Sequence, residues 1–579
     1  MRAPWRARLA LALLGSAWVL PFLSPNFYAP ISSFYGEATA IALGLAALTA
    51  LHSRAAWPVI ELPRAALMLL GFAGLILLHA ALGRAAYVQL NFLAVLYLVW
   101  AAALSAAAWR LREIFGLDRL AATLAWCTVA GALLSAAIGL AQLFGIPSPL
   151  KPFMLPQVQG RIFANTGQAN HLASYASLGV ASVGFLHVSA RARLPAVAAM
   201  VVPLLLVLAI TGSRSVWLYL AAILALAAAW RVLRPSPAAT RALAFCAAMV
   251  AGFALALWMA GWMVGPSTAH VELASGRMRS AGFFSPIRFR LWHEAWLMFL
   301  DAPLLGEGFR QFPWQHFLRN ARLPAVWMDD IQYDNAHNLV MQVLAEFGLA
   351  GAAVLAAGIA AWAAGVAKRE PSAPLWWALA CAAILALHSM LEYPLWYAYF
   401  LGIAAVLLGA TDSVAVRTGG RAGGRLVPAL ILVLGWVAMA NTYQDYRTLQ
   451  SLHRPRHDGQ GADTADVLLE LQQHSLFTPF VELALSRMTI LDREQIADKV
   501  ALNEAVMHFG PAPDVVYRQA ALLALAGEAQ AAASQWDLAA ANYPGSRARM
   551  TKSLEALGGD PGIAALLAHA RAQLQGEAK

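Results

Sequence analysis

Apolar runs long enough to cross a bilayer recur along the first three quarters of the chain, each closed by a short polar stretch. A hydrocarbon core about 30 Å thick needs about 20 apolar residues in a helix that rises 1.5 Å per residue. The alternation predicts about thirteen membrane-spanning helices. They fall over 9–23, 36–52, 65–82, 89–108, 120–144, 169–188, 194–211, 215–233, 241–264, 338–366, 375–391, 395–411 and 426–441. The segments 375–391 and 395–411 flank Glu392-Tyr393-Pro394 and read either as two spans or as one broken helix. One long polar stretch, 265–336, separates two spans, and it ends at His337-Asn338 where an apolar run begins.

Beyond Asn441 polarity rises and the pattern changes. Small and apolar residues recur at helical spacing over Ala520–Ala541. The series Tyr517, Leu522, Ala526, Gly527, Ala531, Trp536 and Tyr543-Pro544 reads as one helical hairpin of the tetratricopeptide kind. Four regions follow: transmembrane helices over 1–264, a large loop over 265–336, further transmembrane helices over 337–441, and a helical domain over 442–579. The fold class is all-α, a polytopic transmembrane bundle with a helical extension.

Composition agrees with this. The chain is 60% hydrophobic and 12% charged, against about 25% charged in soluble domains. Its net charge of +10 reflects topology, not nucleic-acid binding. With the N-terminus in the cytoplasm, Arg2, Arg6, Arg8, Arg54, Arg64, Arg110, Arg112, Arg119, Arg191, Arg193, Arg231, Arg234, Arg241, Lys368, Arg369, Arg417, Arg421 and Arg425 fall in cytoplasmic loops. The short loops opposite hold only Arg84, Lys151, Arg161 and Arg214. This bias sets orientation and puts 265–336 and the residues after 442 outside the cytoplasm. The N-terminus reads as an uncleaved first span, since no small-residue cleavage site follows it. Cys127, Cys246 and Cys381 lie in apolar runs and show neither disulfide nor metal-site spacing.

Candidate chemistry gathers on the outer side. His337 stands at the N-terminal end of a span, where a neutral imidazole can take a proton near neutral pH; the plain alternative is a polar anchor for a helix end. Glu346, nine residues on, lies about 13.5 Å deeper, where a carboxylate faces protein or a wet cavity. Thr211-Gly212-Ser213-Arg214-Ser215 places a guanidinium, a planar fork suited to phosphate oxygens, at the start of another span; snorkelling to headgroups is the alternative. Arg288 and Arg290 lie among aromatics in Phe284–Trp292 and either clamp an anion or rest at the interface. The stretch Gly160–His171, with Arg161, Asn165, Thr166, Gln168, Asn170 and His171, is rich in groups that bind sugar hydroxyls or pyrophosphate. A capped helix start is its bland reading. The outer loop also carries Arg277, Arg279, Arg310, Arg319 and Arg322. Asp329, Asp330 and Asp334 orient His337 or the arginines, or else bind a cation; arginines balancing phosphate without a metal are the favoured reading.

The segments GRIFANTGQANHLASY, TGSRSVWL, SPIRFRLWHEAW, YDNAHNLVMQVLAEFGLAG and HSMLEYPLWYAYFLG resemble the O-antigen ligase and polymerase superfamily. Within it the chain looks most like the bacterial protein O-oligosaccharyltransferases that glycosylate pilins. The likeness covers about 150 to 410. It implies a GT-C-type helical glycosyltransferase of the inner membrane with its site on the periplasmic side and no cofactor. Its donor would be a glycan on undecaprenyl pyrophosphate, moved en bloc to an acceptor hydroxyl such as a pilin Ser or Thr. By the same likeness His337 is the essential base and Arg214 a pyrophosphate ligand. Arg288 is the second catalytic arginine, with Arg290 so near that the assignment stays open. Gln168, Asn170, His171, Asn338 and Arg161 are placed with the substrate. Ligation to a lipid core, glycan polymerisation, a lipid-linked sugar flippase and a non-catalytic scaffold are the competing readings. A flippase would put ionisable residues at midplane and show repeat symmetry, and neither is visible.

Overall fold

Every apolar segment expected from the sequence forms a helix in the computed structural model of the chain. It describes residues 5–52, 60–146, 151–156, 161–263, 286–320, 331–418, 423–452 and 461–577. Arg2, Arg54, Arg277, Arg279, Arg322, Asp329, Asp330 and Arg421 lie outside the described residues, as does much of the 265–336 stretch. Among the described residues nine helices are long and apolar enough to cross a membrane. Leu194–Ile210, Ala373–Ser389 and Ala398–Thr411 are shorter apolar helices. The protein is an all-α, multi-pass membrane protein, and the sheet found among the described residues pairs Ile60–Pro63 with Ala415–Thr418.

The chain forms two compact units, Met1–Ala73 with Leu96–Ser285 and Val354–Asn441, and Gly74–Val95 with Pro286–Ala353 and Thr442–Lys579. At the centre of the first unit is the helix Ala169–Val188, buried along nearly its whole length. It packs on Leu117–Phe144, Leu194–Ile210, Ser215–Leu233, Pro237–Met263 and Ala373–Ser389. Its Ala, Ser and Gly residues permit that crowding: a Cβ on Gly179 would come within 2.7 Å of Ala132. Ser174, Ser177 and Ser182 donate to carbonyls four residues back, at 2.9, 2.7 and 2.8 Å. Their hydroxyls are thereby satisfied without water, so a helix enclosed by protein tolerates more polarity than one facing lipid.

The arginine-bearing loops meet at one end of the first unit. Arg6 donates to the His52 carbonyl at 3.3 Å, and Arg191 pairs with Asp118 at 2.5 Å. Arg369 donates to the Thr411 carbonyl at 2.8 Å, Arg417 pairs with Glu61 at 3.1 Å, and Arg234 pairs with Glu370. Arg112 donates to the carbonyls of Ala410, at 3.1 Å, and Asp412. Loops that the charge bias assigns to one face thus share one face.

In the second unit the last quarter of the chain folds as stacked helical pairs. Pro513–Leu525 and Ala529–Asn542 form the expected hairpin, turning at Gly527 with φ +86°. Tyr517 meets Trp536 edge-on at 4.7 Å and donates to the Tyr543 carbonyl at 3.1 Å. Thr478–Met488 with Ile496–Phe509 lie on one side, and Arg547–Glu555 with Pro561–Glu577 on the other. The helix Phe312–Asn320 joins this core through Phe317.

The expected span 338–366 departs from a plain helix. Leu339–Val366 is interrupted at Gly348, φ 58° and ψ −150°. Pro303–Gly308 lies against the break. Leu349 and Ala350 donate to the carbonyls of Pro303 and Leu304 at 2.8 and 3.0 Å, and Glu307 and Gly308 donate to those of Ala345 and Glu346 at 2.9 and 3.1 Å. The backbone groups freed by the break are satisfied in this way. A Cβ on Gly306 would lie 2.2 Å from the Glu346 carbonyl carbon, and its φ is +74°. Gly306→Val is therefore expected to cost about 1–3 kcal/mol from overpacking, on top of the left-handed strain. A melting temperature equal to that of the unmutated protein would refute this splice.

Candidate active site

The candidate residues assemble into two constellations, one in each unit. In the first unit Gln168 precedes the helix Ala169–Val188 in extended conformation, and its side chain makes no capping bond. Asn165 and Thr166 do not cap it either. Asn165 accepts from Leu155 N–H at 3.0 Å and donates to the carbonyls of Leu23 and Phe153 at 2.9 and 2.8 Å. Thr166 donates to Phe163 at 2.7 Å. These residues stitch the loop down so that the next ones reach the site. Arg161, at the start of this loop, is exposed.

Asn170 is the junction. It donates to Glu392 at 3.0 Å and accepts from the Ser213 hydroxyl at 2.9 Å. Ser213 follows Gly212, whose φ of +65° turns the chain, and precedes Arg214, the residue that opens the helix Ser215–Leu233. The Arg214 side chain is partly exposed. His171 is enclosed, edge-on to Tyr397 at 4.7 Å and to His388 at 5.7 Å. His388 Nδ1 lies 2.6 Å from the Ser174 hydroxyl. Glu392 falls between Ala373–Ser389 and the turn Pro394–Trp396, so the expected break there yields two helices and delivers a carboxylate to Asn170. A small open pocket lies beside Asn165 and Thr166, lined also by Ser24, Asn26, Phe27 and Tyr399.

In the second unit His337 has φ +49°. Its N–H donates to Asn335 Oδ1 at 2.9 Å, and Asn335 donates to Asp334 at 2.5 Å. Asp334 thus acts on the backbone of His337 through Asn335. Asn338 accepts from Val340 and Met341 N–H at 3.0 and 3.1 Å, the bonding of a helix N-cap. Ala336 N–H donates to Gln342 Oε1 at 2.7 Å. Glu346 is buried, accepts from Phe312 N–H at 3.4 Å and faces Arg310.

Arg288 and Arg290 lie on the helix Pro286–Asp301. Arg288 is half-buried, whereas Arg290 is 4% exposed and lies 3.5 Å from Glu294. Glu294 meets His316 at 2.5 Å. The Arg290 guanidinium stands 5.4 Å over the Tyr333 ring, and Tyr333 stands edge-on to His337 at 6.3 Å. Glu294, His316 and Tyr333 were not singled out by sequence reasoning, and Glu392 entered it only as part of the break and of the family-like segment. The first three sit at helix-interior or loop positions with no motif of their own. In the same unit, Tyr87 donates to Glu482 at 2.5 Å, and burial together with that carboxylate pushes its phenol well above the usual range. Burial lowers His508, which packs on Trp314 at 4.3 Å. Among the described residues no three His, Cys, Asp or Glu side chains converge as a metal site.

Two family models match the chain. One, described as O-antigen ligase, covers residues 198–356. The other, described as virulence factor membrane-bound polymerase, C-terminal, covers residues 376–555. No curated protein matches the chain.

Proposed function

Since the chain belongs to the O-antigen ligase and polymerase superfamily of glycan-transferring membrane enzymes, we propose that it moves a preassembled glycan from undecaprenyl pyrophosphate to Ser or Thr hydroxyls of periplasmic proteins, pilins among them. The reaction takes place at the periplasmic face of the bacterial inner membrane. His337 accepts the hydroxyl proton as the oxygen attacks the anomeric carbon. The bond from that carbon to the pyrophosphate oxygen breaks, configuration inverts, and undecaprenyl pyrophosphate leaves with the bonding pair. Arg214 and Arg288 balance its charge, so the transfer is metal-independent and rests on fixed cations. Asn170, Gln168, His171, Asn338 and Arg161 position the donor or the segments that hold it.

The observation that carries this reading is the setting of His337. It is a partly exposed imidazole in a left-handed turn, immediately before a capped helix N-terminus whose dipole favours anions. For a protein acceptor, the supporting observation is that the stacked C-terminal helices belong to the same compact unit as His337. The descriptions of the matching families favour a second reading, glycan transfer to a lipid A core or glycan polymerisation.

Reconstitution of the full chain with undecaprenyl-pyrophosphate oligosaccharide, a pilin and a lipid A core, followed by mass spectrometry, tests the proposal. Glycan on Ser or Thr is expected. Glycan only on lipid core, or only lengthened on its carrier, moves the assignment to the second reading. No transfer to any of the three acceptors overturns both.

A further inference from the structure

We propose that Arg290 does not touch the donor but forms the middle of a buried relay, from the C-terminal helices to the ring of His337, that sets the orientation of that ring. The inference rests on His337 being the base. Residues two apart on a helix point about 200° apart at 3.6 residues per turn, so Arg288 and Arg290 cannot present to one ligand in the same way. Arg288 is half-buried and reachable. Arg290 and Glu294 are enclosed, 4% and 0% exposed.

The relay can be followed contact by contact within the second unit. Phe317 belongs to the C-terminal core, stacked on Tyr543 at 6.2 Å, and Asn320 donates to Asn542 at 3.0 Å. These contacts fix the helix Phe312–Asn320, and with it His316. His316 holds Glu294 at 2.5 Å, and Glu294 faces Arg290 at 3.5 Å. Arg290 covers the Tyr333 ring, which is also edge-on to His316 at 5.7 Å and to His337 at 6.3 Å. Tyr333 is therefore located by a cation on its face and by two imidazoles at its edge. A buried ion pair adds little net stability over an apolar replacement. What it supplies here is direction: it holds the cation over the tyrosine, and the tyrosine against the base.

The test is steady-state transfer from undecaprenyl-pyrophosphate oligosaccharide by the full chain, with thermal melting recorded for each variant. Glu294→Gln is expected to lower kcat up to about 100-fold with donor KM unchanged. Because a buried Gln can unfold the protein, Tyr333 provides a second arm. Tyr333→Leu lowers kcat in the same way, Tyr333→Phe restores most of it, and the Glu294→Gln/Tyr333→Leu double variant is no slower than Tyr333→Leu. Arg288→Gln raises donor KM as well as lowering kcat, because it removes a ligand of the pyrophosphate. The relay is overturned if Arg290→Gln raises donor KM at unchanged kcat, if folded Glu294→Gln and Tyr333→Leu both turn over normally, or if their losses multiply. Full activity of folded His337→Asn removes the base assignment and the relay with it, whereas an inactive His337→Asn beside a normal Tyr333→Leu removes the relay alone.

Discussion

His337→Asn protein is expected to fold normally and to transfer glycan about 10²–10⁴-fold more slowly than the unmutated chain, the range lost when a positioned proton acceptor is removed. Asparagine is the informative replacement because it tolerates the left-handed backbone that residue 337 adopts at φ +49°. Alanine is less at home in that region than histidine or asparagine, so a loss in His337→Ala alone mixes chemistry with geometry. The bonds around the turn survive either change, since Asn335 receives the backbone N–H of residue 337 and Asn338 caps the helix with its own side chain. Initial rates from lipid-linked donor, paired with melting curves, separate the two effects. Turnover of His337→Asn at the unmutated rate would end the assignment of this residue as base.

Arg214→Ala is expected to lose about 10²–10³-fold in kcat/KM for the donor, the scale of one missing charge-stabilising group. Arg214→Lys recovers only part, because an ammonium lacks the two-pronged donor geometry that fits a pyrophosphate. The position is prepared by neighbours. Glu392 receives Asn170, Asn170 receives Ser213, and Gly212 makes the turn that brings residue 214 to the head of its helix. Asn170→Ala would therefore act through Arg214 and not by contact. Product inhibition by undecaprenyl pyrophosphate provides an independent reading: its inhibition constant rises with Arg214→Ala if the guanidinium holds the leaving group. Equal inhibition of both proteins, with equal rates, would sink the assignment.

The helices were legible because lipid enforces a simple rule, about 20 apolar residues for each crossing. The segment 169–188 shows where that rule weakens. It is a helix as expected, yet it has so many Ser, Ala and Gly residues that protein surrounds it on nearly every side. Gly348 shows another limit. An apolar run says nothing of a break when the bonds that repair it come from Pro303–Gly308, some forty residues earlier in the chain. At the site, His337, Arg214 and Arg288 stand out by charge beside apolar runs. Glu294, His316 and Tyr333 do not, because each matters only through a neighbour brought to it by folding.

The order of apolar and polar segments alone determined that this is a many-helix membrane protein, which loops carry its arginines and where its candidate base and cations lie. Hydrophobic transfer and charge placement are local properties of the chain, so the sequence carries them openly. Tertiary structure alone decided that Arg290 is buried while Arg288 is accessible, that Asn170 ties Ser213 to Glu392, and that Gly348 opens a span to an inserted loop. Those outcomes depend on which distant groups satisfy one another's charges and hydrogen bonds, and no one-dimensional pattern records such partnerships.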